Sequence, residues 1–368
     1  MKYCKICIMP DTKPGVYLDS EGKCNACRNT IIKNKINWNK RKKELKIIVD
    51  EIKKNNKNSY YDCIVPISSG GKDSWFQAYV MSKIYKCKVL CVNMVAHLPT
   101  TEGISNINSM IKDLPIDIIK ITLKPSVHSK LRRNAFTKLG EPNWAEHCMV
   151  FAGVYNAAKL YNVPLIVWGE DISFEFGGLS KKQTADASNL LYKNDLIKDK
   201  NVFDLLDSSI DKGDLFFYQF PKKNEIKKSQ IKSIYLGYFF NWNGDSNFKF
   251  VKKRGFIPEK IKRAGHYVDY DNIDEKLVEI NGWMKYLKFG FWYATDELCV
   301  EIYNNRLTRD KAAKILRKLN GEFPNNFLND WLRFHNVTKD EFYDVVSKYI
   351  NKKIFTKNNN WWKLKKMP

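Results

Sequence analysis

Tyr60–Tyr79 reads YYDCIVPISSGGKDSWFQAY. An apolar run, Cys63–Ile67, ends in Ser68-Ser69-Gly70-Gly71-Lys72-Asp73-Ser74 and passes at once into a segment with helical spacing. A strand that turns through glycines into a helix gathers backbone N–H groups and the positive end of a helix dipole at one point, which makes an anion site. Gly70 and Gly71 let the main chain approach an oxygen where a Cβ would obstruct. Ser69 and Ser74 add hydroxyl donors, and Lys72 adds a mobile positive charge. Asp73 repels phosphate unless a cation stands between them, so it reads as a Mg2+ ligand or as an acid in the first helical turn. An ordinary glycine turn capped by Asp and Ser would explain a lone Gly-Gly, but not six residues in this order after a buried strand. Gly-x-x-x-x-Gly-Lys-Ser/Thr is missing, so the stretch is not the loop that cleaves between β and γ phosphates.

Outward from this junction, Val89–Met94, Ile116–Leu123 and Leu165–Trp168 are further short apolar runs, each preceded by a helix-compatible segment. This alternation predicts a parallel sheet with helices on both faces. Residues 59–240 are therefore read as one α/β domain, with Ile231–Leu236 as a further strand. Residues 173–230 hold the pair Gly177-Gly178 and polar stretches and are expected to form a long, partly mobile insertion. Leu277, Ile280, Met284 and Leu287 mark a helix, and Thr308 caps another that Gly321 stops. Residues 241–368 are thus expected to be mostly helical, and the last 18, with six Lys and no acid, to be a solvated tail. Residues 31–58 are Lys-rich, with Leu45, Ile48 and Ile52 at helical spacing, and read as a basic linker helix.

Residues 1–30 carry Cys4-x-x-Cys7 and Cys24-x-x-Cys27 with sixteen residues between the pairs. That is the spacing of a four-thiolate zinc site, and a segment with so little core needs such a staple to fold. An iron–sulfur cluster or a redox pair is the rival reading; zinc leads because a small knuckle offers little chain to shield a cluster. Cys63, Cys87 and Cys91 read as core residues, and Cys148 as a buried thiol.

No run of 18 apolar residues occurs, so no membrane-spanning helix is expected. MKYCKICIMPD has no secretory apolar region, which makes the cytoplasm the default location. The formal charge of +23 invites a nucleic-acid reading. However, the basic residues are 53 Lys against 10 Arg, and phosphate recognition favours the arginine fork. A solvated, compositionally biased surface is the plainer account, and nucleic acid is not the expected partner.

Several residues near strand ends complete the candidate site. Glu170 and Asp171, in Trp168-Gly-Glu-Asp, follow a predicted parallel strand, where ligands of such sheets bind; they also fit a helix N-terminal acid pair. Asn93 ends the second strand and could meet adenosine, although a turn-forming Asn is commoner. Trp144 and His147, and Glu175 with Gly177-Gly178, are candidates for a substrate-facing pocket. A packed histidine and an ordinary turn are the competing accounts.

Ser69–Ser74 resembles the pyrophosphate loop of the N-type ATP pyrophosphatases. That implies ATP, held by Ser68 to Ser74 and Asn93 and cut between α and β phosphates, with Lys72, Asp73 and Glu170 as catalytic residues. The chain also resembles, over nearly its whole length, the N-acetyl-sugar amidotransferases of bacterial surface sugars. The resemblance rests on CKICIMPDTKPGVYLDSEGKCNAC, YDCIVPISSGGKDS, TEGISNI, NWAEH, PLIVWGEDISFEFGG, YLGYFFNW, KYLKFGFWYATDE and LTRDKAAKIL, in that order. It departs in the extra Ser68 and in Gly-Glu-Asp where Gly-Glu-Asn is commoner. The resemblance implies a fold of the adenine nucleotide alpha hydrolase type, similar to the Rossmann fold. It also implies conversion of an acetamido to an acetamidino group through an O-adenylyl imidate and ammonia. The sugar would be pseudaminic or legionaminic acid of flagellin, or an O-antigen uronic acid of lipopolysaccharide. No Gly-x-Cys-x-Gly nucleophile turn occurs, nor a Cys directly after Met1, so ammonia is expected from solution or from a glutaminase subunit, with a cyclase-like barrel subunit in some relatives. The alternative is a tRNA-modifying enzyme of the 2-thiouridine synthetase type, which needs a sulfur-handling Cys pair that does not follow Cys27.

Overall fold

The computed structural model describes residues 1–57, 59–178, 183–191, 200–358 and 361–368. Helices α1 (Asn25–Lys33) and α2 (Trp38–Asn55) precede a sheet of five strands: β1 (Cys63–Ile67), β2 (Val89–Met94), β3 (Ile116–Ile121), β4 (Leu165–Trp168) and β5 (Lys232–Tyr235). Their order is β3-β2-β1-β4-β5, and every neighbouring pair is parallel. The chain runs outward from β1 to β3 through α3 (Lys72–Tyr79) and α4 (Thr101–Asp113). It then returns through α5 (Pro125–Leu139) and α6 (Trp144–Leu160) to lay β4 on the other side of β1. The connections leaving β1 and β4 diverge, and a crevice opens between their C-terminal ends.

Alternation along each strand sorts the side chains to two cores. Cys63, Val65, Ile67, Cys91, Leu165 and Val167 face α2, α3 and the end of α4. Ile64, Leu90, Val92, Met94, Ile166 and Trp168 face α5 and α6. With both faces covered, the strands read as unbroken apolar runs. Cys63, Cys87 and Cys91 lie in the first core and Cys148 in the second, all buried. Helix α2, in the segment read as a linker, lays Leu45, Val49 and Ile52 on the sheet. Among the described residues no helix is long and apolar enough to cross a membrane.

The reading of 173–230 as a loose insertion is corrected for its described part. The segment forms helices α7 (Ile172–Phe176) and α8 (Lys223–Ser229) and short 3-10 turns, and its Leu190, Leu191, Val202, Leu205, Ile210, Leu215 and Tyr218 are buried in the core that holds α5 and α6. These apolar residues are spaced too irregularly for either period to show them. Residues 179–182 and 192–199 of that reading lie outside the described residues.

Beyond β5 come α9 (Leu236–Phe239), α10 (Gly244–Lys252), α11 (Val278–Phe289), α12 (Tyr293–Tyr303), α13 (Arg309–Leu319), α14 (Leu328–His335) and α15 (Lys339–Tyr349). Thr308 caps α13 by accepting from Lys311 N–H. The expected solvated tail is instead a hairpin, β6 (Phe355–Asn358) with β7 (Trp361–Leu364). Ile354 and Phe355 enter the core of α11, α14 and α15, and Trp361 stacks on Trp283 at 5.6 Å between ring centroids. Alternation hid this element, because its lysines point outward while single apolar residues point in. Phe355→Ala should cost about 3–5 kcal/mol in urea unfolding, the usual loss for a buried Phe. A loss below about 0.5 kcal/mol, typical of surface positions, would return the segment to a tail.

Candidate functional site

The loop after β1 is held from three sides. Gly70 N–H donates to Ser68 O at 2.7 Å, Gly71 N–H to Ser68 Oγ at 3.2 Å, and Ser68 N–H to Ser74 Oγ at 3.2 Å. The extra Ser68 therefore braces the turn. Gly70 has φ +101°, and a Cβ there would lie 2.2 Å from Gly103 O; a Cβ on Gly103 would lie 2.3 Å from Ser69 O. The loop thus touches the first turn of α4 backbone to backbone, which only glycine allows on either side. Gly71 is the N-cap of α3, and no side chain caps that helix. Its first N–H groups and its dipole face the crevice, as an anion site requires.

Lys72 is buried and pinned. Its Nζ donates to Asp73 Oδ2 at 2.8 Å and to Asp271, while Asn247 Nδ2 donates to the other Asp73 oxygen at 2.7 Å. Burial works against the ammonium, but Asp271 and Asp73 outweigh it and hold its pKa above the ordinary lysine range. The mobile cation expected from the sequence is in fact fixed between two carboxylates.

A cavity of about 270 Å³ opens beside the loop, between β1 and β4. Ser68, Ser69, Asp73, Ser74 and Gln77 form one wall, Trp168, Gly169 and Glu170 another, and Glu146, Val150 and Val154 of α6 a third; Asp274 closes it. Burial first and Asp73 second push the Glu170 carboxyl up to about 7. Burial first and Glu275 second push Glu146 up, against the pull of Arg132. Arg132, itself fully buried, donates to Glu146 at 2.7 Å, to Glu275 at 2.6 Å and to Asn143 at 2.7 Å. Asp73 and Glu170 repel one another across the cavity, and such a donor pair suits a hard cation. A carboxyl that titrates near neutrality suits proton transfer.

The structure brings Ser68, Ser69, Asp73, Ser74 and Glu170 together around this cavity. The other candidates sit elsewhere. Asn93 joins β1 to β2, its Nδ2 donating to Ile67 O at 3.1 Å. Asp171 caps α7 by accepting from Phe174 N–H, the helix-acid role weighed above. Glu175 pairs with Lys33 of α1 at 2.6 Å. Gly178 O accepts from Asn25 Nδ2 at 3.3 Å, and Gly177 packs beside the same Asn25. Trp144 is buried in the α5/α6 core, and His147 is pushed down to about 3 by burial first and Lys285 second. Between these two, Glu146 reaches the cavity; its i, i+4, i+8 series with Val150 and Val154 was the signal available. Gln77, one turn after Asp73, carried a similar signal. Asp271, Asp274 and Asn247 carried none, because they arrive from distant chain.

At the N-terminus the Sγ atoms of Cys4, Cys7, Cys24 and Cys27 lie within 4.8 Å of one another, all buried. Cys4 and Cys27 Sγ are 3.7 Å apart, and Cys7 and Cys24 Sγ 3.6 Å. A tetrahedral Zn²⁺ with bonds of about 2.3 Å needs sulfur–sulfur edges of about 3.8 Å, so the set fits one zinc ion and is too tight for an iron–sulfur cube. Backbone N–H groups of Ile6 and Cys24 point at Cys4 Sγ at 3.4 and 3.2 Å, as thiolates require. The knot packs on α12 and α13 through Leu298, Ala312 and Leu316, and Arg309 donates to the carbonyls of Cys4 and Cys7.

Elemental analysis should give close to one zinc per chain. Cys24→Ser should lower solubility and the melting temperature; an iron–sulfur absorbance band in anaerobically purified protein would overturn the zinc assignment. Glu170 gives a second test. Its folded pKa lies above its ordinary 4.5, so its contribution to stability is complete below that value and is lost as the pH rises through about 7. Glu170→Gln should therefore melt higher than the parent at about pH 8 without divalent cations, with the gap closing toward about pH 5. A gap independent of pH would show that Glu170 is not perturbed.

Among solved structures, the NH3-dependent NAD synthetase from Campylobacter jejuni, in complex with the nitrate ion, aligns over 62% of this chain and 100% of its own, with 14% identity and a TM-score of 0.30. No curated protein matches the chain by sequence. Residues 264–368, which supply Asp271, Asp274 and helices α11 to α15, match the family described as LPS biosynthesis protein WbpG-like, C-terminal domain.

Proposed function

We propose that the chain is an ATP-dependent amidotransferase that converts the acetamido group of a bacterial surface sugar into an acetamidino group in the cytoplasm. The observation that carries this reading is the shared cavity: the Ser68–Ser74 loop with its uncapped helix N-terminus faces Glu170 across one small crevice at the switch in strand order. The lipopolysaccharide family match over 264–368 supports a sugar as the acceptor class. The knot Cys4–Cys27 serves as a structural zinc unit in this reading.

The β and γ phosphates rest on the loop N–H groups, Ser69, Ser74 and Lys72. The amide oxygen of the acceptor attacks the α-phosphorus, the bond to the bridging oxygen breaks, and pyrophosphate leaves from the loop. The O-adenylyl imidate that results has a good leaving group where the amide had a poor one. Ammonia adds to its carbon, a proton passes to the Glu170 carboxylate, and the C–O bond to AMP breaks. Asp73 would hold Mg²⁺, which supplies neutralisation of phosphate charge. Ammonia comes from a separate glutaminase subunit, with a cyclase-like barrel subunit as a candidate third partner.

Incubation with ATP, Mg²⁺, an ammonium salt and a panel of N-acetyl nonulosonic and uronic acids should release AMP and pyrophosphate and lower acceptor mass by about one unit, the exchange of O for NH. Asp73→Asn should lose turnover by about tenfold or more and lose proportionately less in melting temperature, because Asp73 is partly exposed in the first turn of α3 and Lys72 keeps Asp271 as a partner. ADP as product would overturn the cleavage site. Failure with every sugar together with tight, salt-sensitive tRNA binding would favour the tRNA-modifying reading.

A further inference from the structure

We propose that Gln77 is a specificity-determining residue that recognises the acetamido group of the acceptor; this rests on the amidotransferase reading above. Gln77 lies on α3 four residues after Asp73, so its side chain stands one turn further from the loop on the same helix face. It is 4% exposed, yet it lines the cavity. Its carboxamide has no protein partner among the described residues and is not among the side-chain groups sealed from the surface, so it opens onto the cavity.

A second observation fixes where the amide points. A Cβ on Gly169 would lie 3.0 Å from Gln77 Nε2, so the missing side chain of Gly169 makes the room that the amide occupies. The carboxamide is thereby held over the backbone directly before Glu170, the group assigned to proton transfer. The other polar groups of the cavity are the carboxylates Asp73, Glu146, Glu170 and Asp274 and the loop hydroxyls. Ionised carboxylates only accept hydrogen bonds. Gln77 offers an N–H donor and a C=O acceptor. The C=O and N–H of a trans secondary amide point to opposite sides, so one carboxamide meets only one of them. Its Nε2–H pairs with the second lone pair of the acceptor carbonyl, leaving the first for phosphorus, and its Oε1 is left to accept from a neighbouring sugar hydroxyl. Val150, Phe151 and Val154 form an apolar wall of the same cavity, which suits the acetyl methyl group.

The test compares Gln77→Met, apolar and of similar length, and Gln77→Glu, the same shape without the N–H donor. Each is assayed by steady-state kinetics on the N-acetyl sugar that the parent turns over, with the sugar bearing hydroxyl in place of acetamido as competitive inhibitor. Loss of one or two neutral hydrogen bonds should lower kcat/KM for the acceptor by about tenfold to a hundredfold. The KM for ATP should stay within about twofold, and the preference for acetamido over hydroxyl sugar should collapse in both variants. An unchanged acceptor KM and preference, or parallel losses for ATP, acceptor and melting temperature, would overturn the role of Gln77. Absence of turnover in the parent with every N-acetyl sugar would instead defeat the amidotransferase reading, and with it this one.

Discussion

The site depends on one close approach, the backbone of Ser69–Gly70 against the backbone of Gly103. Neither Gly70 nor Gly103 tolerates a side chain, since a Cβ on Gly70 would lie 2.2 Å from Gly103 O and one on Gly103 would lie 2.3 Å from Ser69 O. Helix α4 is in turn set by Thr100, which caps it and whose hydroxyl donates to Ile273 O. Asn106 adds a two-way bond to Ile257, at 3.0 and 2.7 Å. Through these contacts the loop, the first turn of α4 and segment 257–274 form one continuous hydrogen-bonded unit. Asp274, at the end of that unit, is thereby carried to the wall of the cavity. The sheet supplies the glycine loop, and the helical region beyond it closes the cavity beside that loop.

Charge within this unit is arranged in matched sets. Lys72 sits between Asp73 and Asp271, and Arg132 between Glu146 and Glu275. A buried cation with two carboxylates is poor evidence for added stability, because desolvation consumes most of the Coulomb gain. Its consequence is instead that the partners are exchangeable. On the proposed reading a triphosphate arriving at Lys72 displaces Asp271, and one anion replaces another around a cation that never moves. Asp271 belongs to the wall of a second cavity of about 610 Å³ lined by residues of 259–271, so the displaced carboxylate has space to occupy.

Much of the fold was legible because local chemistry dictated it. β1, β2 and β4 coincide with their apolar runs, since strands buried on both faces leave no other pattern. The paired Cys-x-x-Cys, the glycine loop and the Thr308 cap were legible for the same reason: each is a short segment whose geometry needs those residue types. What escaped is long-range. Asp271 meets Lys72 across 199 residues and Asn247 meets Asp73 across 174, and no periodicity announces such a meeting. On α6 the conspicuous residues, Trp144 and His147, drew the reading away from Glu146, although the helical series pointed to Glu146. The hairpin and the packed part of 173–230 escaped because their apolar residues are sparse and aperiodic.

The net charge of +23 and the acid-lined cavity act at different ranges. A surface rich in lysine raises the local concentration of small anions and speeds their arrival, at distances where individual positions do not matter. The crevice is lined by Asp73, Glu146, Glu170 and Asp274, and the nearby cations Lys72 and Arg132, behind that lining, are engaged by carboxylates. An extended polyanion would have to thread its phosphates among these acids. A single nucleotide that brings its own divalent cation turns the same acids into ligands and proton acceptors. On the proposed reading, a basic exterior with an acidic pocket suits a small anionic substrate carrying a metal, and the lysine excess then acts on approach rather than on recognition.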